Sequence, residues 1–209
     1  MAIRISGSFR RYLLDGFRPA QGARPAQGAR SDPKLYEQIL ENRFRSIDDQ
    51  PAPEPSVGWV RSGSFSSTDF RPETVCFGPV ILLRMRIDRK RLPTNAVKVR
   101  LQEALAELPG KVARSARDSL RQEIERELLS RTVPTTSVFD VYWRPGEETL
   151  LLSSTSTLAH DSFSALFRRT FGVTPRAATP SPVALRVAAP EVTPERLQRL
   201  SAFRLGAAP

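Results

Sequence analysis

Residues 80–93 read Val80-Ile81-Leu82-Leu83-Arg84-Met85-Arg86-Ile87-Asp88-Arg89-Lys90-Arg91-Leu92-Pro93. Leu83, Met85 and Ile87 alternate with Arg84, Arg86 and Asp88. A period of two sends successive side chains to opposite faces of a strand. Residues 80–88 are therefore predicted as a strand with one apolar and one charged face. Pro93 and Asn95 then open a helix at about residue 96, where Val97, Leu101, Ala104, Leu105 and Leu108 recur at helical spacing. Pro109-Gly110 stops it. A second helix is predicted from about 114 to 130, with Ala113, Ala116, Leu120, Ile124 and Leu128 as its apolar stripe. Arg114, Arg117 and Arg121 share a different face of that helix.

The same region concentrates charge. Residues 84–121 carry eleven Lys or Arg and four acids, a net of +7 out of +10 for the whole chain. A folded element that keeps one basic side is an electrostatic footprint for a polyanion, nucleic acid first and an anionic membrane surface second. Arg is far commoner than Lys, which a GC-rich genome would also produce. That bias accounts less well for the local concentration.

Outward from this region the chain reads as further strands and helices. Residues 2–14 are predicted as a strand with Gly7 as a bulge. Asp32-Pro33 opens a helix that buries Leu35 and Ile39, with Leu40 and Phe44 as further candidates. Short strands are predicted at 57–60 and 74–77. Residues 138–143 and 149–153 flank Arg144-Pro145-Gly146-Glu147, a turn signal, and read as a hairpin. A helix from about 158 to 171 carries Ala159, Phe163, Leu166, Phe167 and Thr170 on one side, with Gly172 ending it. The expected fold class is α+β: a mixed or antiparallel sheet of about five or six strands with helices packed on it.

At 209 residues, with 40% hydrophobic residues and eleven Phe, the chain can bury a core. One domain is expected over 1–173. Within it, Pro-Ala-Gln-Gly-Ala-Arg occurs twice, at 19–24 and 25–30, and reads as an exposed, flexible duplicated loop. Residues 174–194 read as a Pro/Ala-rich linker, and Thr193-Pro194-Glu195 caps a short helix ending near Leu205, so 174–209 is expected as a tail.

Several function classes lose support. His160 is the sole histidine and Cys76 the sole cysteine. Two-histidine metal sites, Cys/His zinc sites and intrachain disulfides are thereby excluded. No P-loop, dinucleotide fingerprint or nucleophile elbow occurs. Asp48-Asp49 and Glu147-Glu148 sit in turns, where neighbouring carboxylates are solvated. A non-enzyme without metal or cofactor is expected. No apolar stretch approaches the ~18–20 residues that span a bilayer, and no secretory signal opens the chain. A cytoplasmic location follows as the expectation.

Arg84 and Arg86 would lie roughly 6–7 Å apart on a strand face. Arg114 and Arg121 would lie about 10.5 Å apart, two helical turns. Both spacings suit contact with a phosphate backbone and neither specifies a base sequence.

Seven segments in order resemble the RdgC family of bacterial recombination-associated proteins. They are Gly58-Trp59-Val60, Arg89-Lys90-Arg91-Leu92-Pro93, Asp118-Ser119-Leu120-Arg121-Gln122-Glu123, Glu127-Leu128-Leu129-Ser130-Arg131, Phe139-Asp140-Val141-Tyr142-Trp143, Leu150-Leu151-Leu152-Ser153 and Thr170-Phe171-Gly172. The resemblance covers about residues 1–185. The resemblance implies a nucleoid-associated, dimeric DNA-binding protein with little sequence preference, which rings duplex DNA and opposes a RecA-type recombinase. This chain ends at Pro209, short of the family's C-terminal portion, so an open dimer or a monomer stands beside the closed ring. The expected phosphate contacts are Arg84, Arg86, Lys90, Arg91, Lys98, Arg114, Arg117 and Arg121. The alternative is a non-catalytic interaction module that meets an acidic protein partner. It would use the basic face, or Leu197, Leu200, Phe203 and Leu205 of the last helix.

Overall fold

The computed structural model describes residues 7–14, 32–48, 50–51, 54–110, 112–145, 149–187 and 193–199. Its centre is one antiparallel sheet. In chain order the strands are β1 (Arg10–Leu13), β2 (Ser56–Arg61), β3 (Cys76–Phe77), β4 (Val80–Arg89), β5 (Thr135–Arg144), β6 (Thr149–Leu152) and β7 (Arg176–Ala177). They lie in the order β2-β4-β5-β6-β1-β7, with the two-residue β3 pairing the start of β4. β4 and β5 form the long middle, in register from Ile81 opposite Trp143 to Arg89 opposite Thr135.

The described helices are α1 (Pro33–Glu41), α2 (Pro72–Val75), α3 (Thr94–Ala106), α4 (Arg114–Arg131), α5 (Thr157–Phe171), α6 (Pro180–Val187) and α7 (Pro194–Gln198). α1 begins as the sequence requires: Asp32 Oδ1 accepts from the Lys34 N–H at 3.1 Å, and Pro33 takes the first position, where no N–H is needed. α5 ends at Gly172, whose φ of 73° is left-handed.

The core fills one sheet face. Trp59, Ile81, Leu83, Met85, Val141, Trp143, Leu150 and Leu152 are all buried there, beneath Phe163, Leu166 and Phe167 of α5 and Ile39 of α1. Phe163, Phe167 and Phe171 recur every fourth residue, one helix face. Trp143 meets Phe167 edge-on at 5.4 Å between ring centres, and Trp59 meets Phe163 at 6.4 Å. Such pairs add about 0.5–1.5 kcal/mol each beyond their buried area. The Trp59 Nε1–H donates to Thr170 Oγ1 at 2.8 Å, and the Thr170 hydroxyl donates to the Leu166 carbonyl at 2.8 Å. This chain of bonds ties β2 to α5 with no buried donor wasted at Trp59.

The expected α+β class with an antiparallel sheet holds, with seven strands among the described residues, and four local expectations are corrected. Of the strand expected at 2–14, the described residues form β1 and residues 7–9 are irregular, with Gly7 at φ 116°; residues 1–6 lie outside the described residues. The strand expected at 74–77 is a helical turn followed by β3. Pro72 opens that turn, and the Thr74 hydroxyl donates back to the Asp69 and Arg71 carbonyls, each at 2.8 Å. The linker expected at 174–194 contains β7 and α6. The free edge of β1 recruits this segment, and the Ala178 N–H donates to the Arg11 carbonyl at 2.9 Å. Pro180 and Pro182 fit the first turn of α6, whose first described backbone bond runs from the Val183 N–H to the Thr179 carbonyl at 3.2 Å. The sheet therefore continues past residue 173. Lastly, α7 ends at Gln198. Leu200, Phe203 and Leu205, like the 19–30 repeat, lie outside the described residues.

His160 is buried and shares a hydrogen bond between its Nδ1 and the Tyr12 hydroxyl, so its place is structural. Burial disfavours the charged form of each partner. It pushes the Tyr12 phenol up to about 12 and holds His160 below its ordinary range, with Arg10 also disfavouring the imidazolium. The sign follows directly. The unfolded chain takes up a proton at His160 before the folded one does, so stability falls as pH drops below about 6.5. It releases the Tyr12 proton first at high pH, so stability also falls as pH rises from about 10 towards 12. Urea midpoints should peak near neutrality. The alkaline loss should shrink in Tyr12→Phe, and an unchanged alkaline limb would sever that link.

Candidate nucleic-acid interface

β4 and the residue after it deliver their basic side chains to two different environments. On the sheet face opposite the core, Arg84 donates through Nε and Nη2 to the two Asp140 carboxylate oxygens at 2.7 and 3.0 Å. Arg86 does the same to Asp88 at 2.8 and 2.6 Å. Asp88 is wholly buried. These forks are charge-assisted pairs, and both raise the pKa of the guanidinium they hold. A loop turning at Gly63 covers them. The Ser64 carbonyl accepts from Arg84 at 3.3 Å and the Phe65 carbonyl from Arg86 at 2.8 Å. Arg84 lies over the Phe65 ring and Arg86 over the Phe44 ring, the latter at 4.2 Å. The alternation of β4 does produce a charged face, but that face is neutralised and stacked within the protein.

Lys90 turns inward. It is 4% exposed, and its ammonium donates to the carbonyls of Asp48, Gln50 and Leu129 at 2.6, 2.8 and 2.9 Å. Arg84, Arg86 and Lys90, expected as open phosphate partners, thus have their donors committed to protein acceptors. The open face of the candidate interface lies elsewhere.

α3 and α4 supply it. They pack on each other through buried Val97, Leu101 and Ile124. Much of the expected α4 stripe stays outside the core: Leu120 and Leu128 are half-buried and Ala116 is exposed. Between the helices runs a groove of about 380 Å³, floored by Leu92, Val97 and Leu101 and rimmed by Lys98, Arg117 and Arg121. These three cations come together, on helices joined by the turn at Gly110, whose φ is 88°. Arg121 donates to Glu125 at 2.8 Å, an exposed i,i+4 pair worth only a few tenths of a kcal/mol. Arg114 is exposed one turn before Arg117. Arg91 is exposed beside a second, smaller groove that it shares with Arg89, Ser137 and Ser156.

Another basic cluster has little trace in the linear sequence. Arg43 and Arg45, just after α1, converge with Arg169 from the end of α5. Linear order places Arg169 more than a hundred residues from the other two, and only the Arg168-Arg169 doublet was a visible signal. Among the described residues, no group of three or more His, Cys, Asp or Glu is placed to hold a metal ion. No described helix is long and apolar enough to cross a membrane.

An α+β protein with a two-helix basic groove beside one antiparallel sheet is what these features define. Comparison with known families makes this specific: a model described as "Putative exonuclease, RdgC" matches residues 24–188. That span is well over half of the chain, and the protein belongs to the RdgC family. Membership supports an association with DNA and recombination in general terms. No curated protein matches the chain.

Proposed function

We propose that this protein binds duplex DNA through the phosphate backbone, without reading base sequence, and modulates recombination or replication without cutting the strand. The convergence of Lys98, Arg117 and Arg121 on one groove, with Arg114 on the same helix, carries this reading. Guanidiniums spaced along a helix release counterions from a regular phosphate array, and that term is indifferent to sequence. Arg91 is a further phosphate partner. Arg84, Arg86 and Lys90 contribute by holding the scaffold. The family resemblance adds a homodimer that limits a RecA-type recombinase on DNA in the cytoplasm.

The test is binding to a short random-sequence duplex at several salt concentrations. Log K should fall linearly with log salt, and Arg114→Gln, Arg117→Gln and Arg121→Gln together should make the slope shallower by about two to three units. An unchanged slope would remove α4 from the interface. Incubating the end-labelled duplex with Mg²⁺ or Mn²⁺ addresses the strand-cutting activity in the family's description. Protein-dependent shortening would overturn the non-catalytic part.

A further inference from the structure

At the outer edge of β2, three arginines meet around a polar cavity of about 380 Å³ that shares no lining residue with the α3–α4 groove. All three are exposed, and they come from two separate parts of the chain: Arg43 and Arg45 from the segment after α1, Arg169 from α5. Each tether within this cluster is to a neutral acceptor. The Asn42 carboxamide is anchored by its own Nδ2–H to the Gln38 carbonyl at 3.0 Å, and its Oδ1 accepts from Arg169 Nε at 2.9 Å. Arg169 Nη2 donates to the Val57 carbonyl at 3.1 Å, and Arg43 Nη1 to the Leu40 carbonyl at 3.1 Å. The Arg45 carbonyl accepts from the Ser56 hydroxyl at 2.6 Å, which fixes the backbone that presents its side chain.

These bonds orient the guanidiniums without cancelling their charge. Among the described residues, no carboxylate forms an ion pair with Arg43, Arg45 or Arg169, in contrast to Arg84 and Arg86. Glu41 is the one acid in the lining, which leaves it at a net +2. Arg169 spends two N–H donors on its tethers and keeps the others. Pro55 supplies a small apolar part of the wall. Several planar forks around one concavity match the oxygens of a phosphate far better than those of a carboxylate partner on a flat surface.

We propose that Arg43, Arg45 and Arg169 form a pocket for a phosphate group of a nucleic-acid strand, a second contact separate from the α3–α4 groove. The phosphate comes either from a strand end or from the internal backbone. Both present the same oxygens to the forks.

The experiment compares the full chain with Arg43→Gln/Arg45→Gln, each with and without the three α4 substitutions. Arg45→Gln alone is the folding control, because the Arg45 side chain has no hydrogen-bond partner among the described residues. The probes are a 5′-phosphorylated duplex, the same duplex with 5′-hydroxyl ends, and a closed circular duplex. The double variant should melt like the parent and lose about one unit of salt slope. It should lose the same in the α4-substituted background, so failure of the pocket and failure of the α4 face are read separately. A loss confined to the 5′-phosphorylated duplex assigns the pocket to strand ends, and an equal loss on the circle assigns it to the backbone. Equal slopes and affinities for parent and double variant on all three probes would overturn the pocket, and so would an absence of binding by the parent.

Discussion

Replacing Gly58 by Ala is expected to cost the fold about 4 kcal/mol and to lower its melting temperature by about 8–16 °C. The backbone at this position is not left-handed, so conformational freedom is not the reason. Space is. A Cβ on Gly58 would stand within 2.7 Å of three backbone atoms, the Phe44 Cα and N and the Arg43 carbonyl carbon. Backbone cannot swing aside as a flexible side chain does. The segment after α1 lies this close because it pairs with β2: the Phe44 N–H donates to the Trp59 carbonyl at 2.8 Å, and the Trp59 N–H to the Asn42 carbonyl at 3.0 Å. A methyl at 58 pushes that segment away and breaks both bonds beside a fully buried Trp59. It also moves the Phe44 ring from beneath Arg86 and shifts Arg43 and Arg45 relative to Arg169. Thermal unfolding followed by circular dichroism checks the size of the loss. A melting temperature within a degree or two of the parent would mean that the segment yields freely and the close approach is not a constraint.

Gly58 also marks where the chain could be read and where it could not. The triplet Gly58-Trp59-Val60 stood out in the sequence, and so did β4, α3, α4, α5 and the β5–β6 hairpin. Each of these is set by periodicity and punctuation within its own residues. The partner that makes Gly58 necessary is fourteen residues away, with no local trace. The charged face of β4 shows the same division. Its alternation was legible, and so was Asp88, two residues from the Arg86 it neutralises, but Asp140, which neutralises Arg84, lies 56 residues away and the Ser64–Phe65 loop that covers both lies about 20 residues away. Strand-favouring composition misled at residues 74–77, where Thr, Val, Cys and Phe suggested a strand and Pro72 with the Asp69 carbonyl imposed a turn. Proline content misled at 174–194, because prolines in the first turn of a helix cost it nothing. In the candidate interface, exposure was the part the sequence could not supply. Lys98, Arg114, Arg117 and Arg121 face outward and Lys90 does not, although all five lie within one basic stretch.

Lys90→Met is expected to cost about 3 kcal/mol, with little direct effect on DNA binding beyond what loss of structure brings. The substitution keeps a long unbranched stem, so the packing of the aliphatic part changes little. What it removes is the ammonium that donates to three carbonyls at 2.6–2.9 Å. Hydrogen bonds from a charged donor are worth about 1.5–3 kcal/mol each, and the exposure of Asp48 and Gln50 lets water recover part of that. The Leu129 carbonyl lies in the last turn of α4, where a cation also meets the negative end of the helix dipole. Losing it should fray that turn and release the 48–50 segment from it. Amide exchange at 127–131 should therefore quicken more than exchange at 114–120, where the exposed arginines lie. The two possible roles of Lys90 separate cleanly. A phosphate partner would give, on substitution, a salt slope shallower by about one unit with unchanged melting. A clamp gives lower melting and faster exchange at the end of α4, with the slope kept in the molecules that remain folded. The second result is the one that three short bonds and 4% exposure require.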